Sequence, residues 1–114
     1  MKILVLDSNR RQIAFAGEAF SKKNIDATVC ATTNEFMAAL GTLNSFEAVY
    51  INAETWGRGR SIYDYFGVGQ KLESKPVVLY NAGENNAQIC GRRSNEGDRV
   101  LLKPTSIETA INVA

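Results

Sequence analysis

Asn52 ends the apolar run Ala48-Val49-Tyr50-Ile51, at a point where a carboxylate would complete a reactive site. Three more runs end in polar residues: Ile3 to Leu6 in Asp7-Ser8, Val77 to Tyr80 in Asn81, and Val100 to Leu102 in Lys103-Pro104. Strands ending this way bring an acid, an amide and an ammonium together. An aspartate at position 52 would read as a phosphoryl acceptor, because a carboxylate can form an acyl phosphate and a neutral amide cannot usefully do so. Magnesium favours oxygen ligands in octahedral geometry, generally with carboxylates among them. Asp7 alone supplies a formal negative charge here, so Mg2+ binding is expected to be weak or absent. Glu54, two residues past Asn52, is the nearest replacement acid; its plainer reading is a solvated loop glutamate.

The elements that must position these residues follow from periodicity. Ile3 to Leu6 is continuously apolar, as in a strand covered on both faces. Between Arg10 and Lys23, Ile13, Ala16 and Phe20 form a helical stripe. Asp26 to Ala31 reads as a second strand. Thr32-Thr33-Asn34-Glu35 is a capping box, with Phe36, Leu40 and Leu43 on the helical face behind it. Ala48 to Ile51 is the third strand, and Glu54 to Arg60, with Gly57 and Gly59, is expected to be a loop. A helix over 61–72, a strand over Val77 to Tyr80, a polar loop over 81–86 and a weak helix over 87–93 follow. A fifth strand from Val100 to Leu102 and a short helix capped by Ser106 close the order. Strand and helix alternate five times. That pattern predicts an α/β domain with a flavodoxin-like, doubly wound, five-stranded parallel sheet. Chemistry in such sheets sits at the carboxyl ends of the strands.

The bulk numbers exclude several classes. A chain of 114 residues, 45% apolar and 22% charged, is expected to form one domain over 1–114. A net charge of +1 gives no footprint for nucleic acid or an anionic membrane. No apolar stretch is long enough to span a bilayer, and a cytoplasmic location is the default. Histidine is absent, which removes Ser-His and Cys-His nucleophiles and Cys/His zinc sites. Cys30 and Cys90 read as buried free thiols. Gly57-Arg58-Gly59-Arg60 lacks phosphate-loop spacing, and Trp56 reads as packing.

In element order and strand-end residues the chain resembles a response-regulator receiver (CheY-like) domain over nearly all its length. The successive separations Ser8–Asn52, Asn52–Asn81 and Asn81–Lys103 are 44, 29 and 22 residues, close to that family's spacing. The resemblance implies (βα)5 receiver topology and assigns Asp7, Ser8, Asn52, Asn81 and Lys103 to the phosphorylation site. Only Asp7 and Lys103 match the pattern. Ser8 stands for the second acid, Asn52 for the phosphoryl-accepting aspartate and Asn81 for a hydroxyl residue, while Val100 stands where a switching aromatic is usual. The chain therefore reads as a degenerate pseudo-receiver with no catalytic residues and no metal ligands, a phosphorylation-independent protein-protein interaction module in two-component signalling.

The implied partners are another protein, a fused output domain if the chain begins a longer regulator, or a second copy in a homodimer. The implied partner face includes Ile89, Arg92, Arg93 and Val100. Two other readings stay open. One is a flavodoxin-like small-ligand domain using Ser8, Asn52, Glu54 and Asn81. The other is a receiver that still takes metal or phosphate through Asp7 or Glu54. Lys103, facing an amide at Asn52, is expected to pair with Asp7, since a lone buried ammonium is costly.

Overall fold

The computed structural model describes residues 1–56, 72, 75–83 and 98–113. The loop over 57–60, residues 61–71 of the helix predicted over 61–72, the helix predicted over 87–93, Cys90, Ile89, Arg92, Arg93 and the Leu43 side chain lie outside the described residues. Five parallel strands form one sheet: β1 (Lys2–Leu6), β2 (Asp26–Cys30), β3 (Ala48–Asn52), β4 (Val77–Ala82) and β5 (Arg99–Leu102), in the order β2-β1-β3-β4-β5. The doubly wound sheet predicted from the alternation is present. No described helix is long and apolar enough to cross a membrane.

The three central strands are buried on both faces, which explains their unbroken apolar runs. Leu4, Leu6, Val49, Ile51, Val77 and Leu79 face one cluster with Phe36, Leu40 and Trp56. Ile3, Val5, Tyr50, Val78 and Tyr80 face the other, with Ala16, Ile107, Ala110 and Ile111. Each large apolar side chain so buried contributes about 1.5–3 kcal/mol. Trp56 packs in the core, and Cys30 is a buried free thiol whose pKa is raised by burial and by the charge of Glu35.

The stripe over Arg10 to Lys23 becomes two short helices, α1 (Arg10–Phe15) and α2 (Gly17–Lys22). The chain tightens at Ala16, whose N–H meets the carbonyls of both Gln12 and Ile13. The capping box forms as expected at the start of α3 (Thr33–Ala39): Thr32 Oγ1 accepts from the Glu35 N–H at 3.1 Å. Glu54 lies not in a loop but in a helical turn, α4 (Ala53–Trp56), that follows β3 directly. The last helix, α5 (Ile107–Val113), begins beside Ser106, whose hydroxyl accepts from the Thr109 N–H. Ile107, Ala110 and Ile111 bury its inner face.

Two asparagines take left-handed backbone angles, Asn24 with φ 55° and Asn81 with φ 56°. Asn24 ends α2 in a Schellman turn, with Ile25 N–H on Phe20 O and Asn24 N–H on Ser21 O. Asn81 sits where the β4–β5 register slips by one residue between Leu79 and Ala82. That bulge is why Ala82 rejoins the Leu79 cluster, three residues on rather than two.

The two positions should respond differently to glycine, which relieves left-handed strain. Asn24→Gly is expected to be neutral or to stabilise by up to about 1 kcal/mol. Asn81→Gly is expected to cost about 1–2 kcal/mol, because its side chain also bridges β3 and the β5–α5 loop. Denaturant midpoints of the two variants check this; equal shifts would overturn it.

Candidate functional site

The carboxyl ends of β1, β3, β4 and β5 meet at an open cavity of about 400 Å³. The parallel register sets its floor. Leu6 pairs with Ile51, so Asp7 emerges beside Asn52, and Asn52 pairs with Tyr80. Alternation puts all three on the α1/α5 side of the sheet.

Asp7 is the centre of this arrangement and only 2% exposed. Its Oδ1 accepts from the Asn9 N–H at 2.8 Å, and its Oδ2 accepts from the Tyr80 hydroxyl at 2.6 Å. Asn9 in turn caps α1, its Oδ1 accepting from the Gln12 N–H at 3.1 Å. The predicted Asp7–Lys103 pair is therefore corrected. Lys103 is exposed, makes no ion pair among the described residues, and runs past Gly83, where an added Cβ would lie 4.0 Å from its Cε. A phenol satisfies the carboxylate without desolvating a second ion, which is the costly part of a buried salt bridge. The Tyr80 phenol is pushed far above its ordinary range, first by burial, then by its bond to Asp7 and by that residue's charge.

Asn52 is 93% buried, being 7% exposed. Its Oδ1 accepts from the Glu54 N–H at 3.0 Å and from Asn81 Nδ2 at 3.4 Å. Asn81 Oδ1 accepts from the Thr105 N–H at 3.4 Å, while the Asn81 N–H donates to Thr105 Oγ1. Backbone donors at both ends thus fix which way each amide points.

Ser8 is exposed and turns away from the cavity to Thr55, with its N–H and hydroxyl each 3.0 Å from Thr55 Oγ1. The Glu54 side chain is exposed and, like Ser8, does not line the cavity. The ligand pocket predicted from Ser8, Asn52, Glu54 and Asn81 is thus corrected: Asn52 and Asn81 remain, and Asp7, Thr105, Ser106 and Thr109 are among the residues that line it with them. Among the described residues no three His, Cys, Asp or Glu side chains gather to hold a metal. Val100, assigned to the partner face, is half-buried and leans on the core cluster, because β5 turns that residue inward. Arg99 and Leu102 are the residues β5 exposes.

Tyr80, Thr55 and Thr105 were not singled out in the sequence. Tyr80 was hidden as the last residue of an apolar strand. The available signal was alternation, which puts it on the face that Asp7 and Asn52 share.

The fold matches solved receiver structures. A response regulator receiver domain from Clostridium thermocellum superposes with a TM-score of 0.66 at 16% identity, over 98% of this chain and 91% of that one. CheY4 of Vibrio cholerae gives 0.66 at 12% identity, over 98% and 93%. A Burkholderia pseudomallei response regulator, solved with a phosphorylated aspartic acid, calcium ion and citrate, gives 0.63 at 14% identity, over 95% of this chain but 62% of its own. The chain thus spans less than two thirds of that protein. No protein-family model matches the chain, and no curated protein does. The five-stranded parallel sheet with flanking helices is the CheY-like, flavodoxin-like receiver fold.

Tyr80→Phe is expected to lower stability by about 1–3 kcal/mol, since it leaves a buried carboxylate oxygen without its donor. It should also flatten the alkaline limb. In the folded chain Tyr80 keeps its proton above its ordinary pKa of about 10, whereas the unfolded chain releases it. This stability is complete below pH ~10 and falls above it by up to about 1.4 kcal/mol per pH unit. Tyr50, also raised by burial, retains part of the slope in the variant. Chemical denaturation between neutral and alkaline pH measures this, and an unchanged slope would refute it.

Proposed function

We propose that the chain is a degenerate receiver that acts in signal transduction through protein docking and without phosphorylation. The observation that carries this reading is the buried amide of Asn52 at the end of β3, accepting hydrogen bonds at the position the resemblance gives to the phosphoryl acceptor. An amide there forms no acyl phosphate. The residues present do not fit a divalent cation either. Among the described residues Asp7 is the one carboxylate lining the cavity, and both its oxygens already hold internal donors. The chain is accordingly read as a non-enzyme that needs no cofactor. Its partner is a protein, a fused output domain or a second copy. The exposed Arg99 and Leu102 of edge strand β5 support docking on that side of the sheet.

The readings that route metal or phosphate through Asp7 or Glu54 gain no support, since the first is committed and the second faces solvent. NMR titration with magnesium and beryllofluoride is expected to leave Asp7, Asn52 and Lys103 unshifted. Saturable shifts at those residues would overturn the reading. Ser8→Asp combined with Asn52→Asp is expected to restore Mg2+ binding only weakly. Adding Tyr80→Phe, which frees Asp7, should strengthen it by about tenfold. Equal affinity of the double and triple variants would show that Tyr80 does not restrain the site.

A further inference from the structure

The cavity at the strand ends holds a buried polar group that no described residue uses. Asn52 spends its oxygen on Glu54 and Asn81, and its Nδ2 donates to no described residue. The amide cannot satisfy itself by flipping, because its oxygen would then leave the Glu54 N–H facing another donor. Two N–H bonds of a side chain more than nine-tenths buried are thus held at the wall of the cavity. A buried donor left without an acceptor is unfavourable, and the groups around it limit what an arriving acceptor can be.

Among the described residues no Lys or Arg lines the cavity, and Asp7 is the single formal charge they bring to it. An anion such as phosphate would approach that carboxylate with no cation among the described residues to offset it. A cation would meet the positive end of the Asn52 amide and a carboxylate already bonded twice. An uncharged ligand suffers neither penalty. The described lining is mostly polar, with the hydroxyl residues Thr105, Ser106 and Thr109 beside the amides of Asn52 and Asn81 and Pro104 as its one apolar member. Affinity must then come from hydrogen bonds, to groups that both accept and donate. Hydroxyls do both. The volume falls within the roughly 300–1,000 Å³ usual for small-molecule sites.

We infer that this cavity is a binding site for a small uncharged polyhydroxylated molecule of the sugar or polyol class, whose oxygen accepts from Asn52 Nδ2. The site is independent of the docking reading: it survives if no protein partner exists, and magnesium with beryllofluoride tests that reading separately.

The test is an NMR titration of the 15N-labelled chain with D-glucose and D-ribose, with inorganic phosphate in parallel. The Asn52 side-chain N–H signals are expected to shift saturably with at least one sugar and not with phosphate. Asn52→Asp keeps the shape and both accepted hydrogen bonds and, measured above the pH at which the new carboxyl ionises, carries no donor, so it should weaken sugar binding at least tenfold, read at Ser106 and Thr109. If that variant does not fold, Thr109→Val at the exposed rim carries the test, with a loss of about fivefold expected. Three results would each overturn the inference: no saturable shift with either sugar, as when water alone meets the amide; binding of phosphate in their place; or sugar affinity unchanged in the folded variants.

Discussion

A buried carboxylate must be satisfied where it stands, and Asp7 imposes that demand on the whole end of the sheet. It lies at the exit of the first strand, almost fully enclosed. An unpaired charge there would be prohibitive. Two donors meet the need, one from the backbone of Asn9 and one from Tyr80, which belongs to a strand on the far side of β3. The hydroxyl therefore ties β1 to β4 across the strand between them. It works only if the register of three parallel strands is held, so the polar bond and the apolar ladder depend on each other.

Much of the architecture was legible in order and alternation. The Ile3, Ala48 and Val77 runs declared themselves because strands covered on both faces have no polar side to disguise them. The cap at Thr32 was readable because its partner is three residues away. What escaped was geometry made by small departures. The turn at Ala16 leaves the helical stripe intact while splitting the helix. The helical turn after β3 was masked by the glycines that follow it at 57 and 59. The bulge at Asn81 leaves no pattern in a strand whose residues are almost all buried.

At the site, residue types were legible but their pairings were not. Lys103 and Asp7 looked like natural partners because they are the only charges among the strand-end residues that frame Asn52. A neutral donor competes for the same carboxylate. A phenol at the end of a strand has the reach of a long side chain, carries no second ion to desolvate and sits on the correct face. Lys103 is left at the surface, where an ammonium is cheaply solvated.

The same demand explains why an amide suits position 52. A carboxylate there would lie in the row between Asp7 and Tyr80, and two anions so placed would each resist ionisation. The amide keeps the useful half of the carboxylate, an oxygen that takes the Glu54 N–H and so starts the turn after β3. It exchanges the other half for a donor that does not repel Asp7. Asn81 continues the pattern, using a left-handed backbone that asparagine tolerates to bring its own amide against Asn52 and the Thr105 N–H. Ser8, turned outward to Thr55, adds no charge. Each strand end thus lowers the charge density around Asp7, and together they convert a place suited to ions into one governed by directional hydrogen bonds.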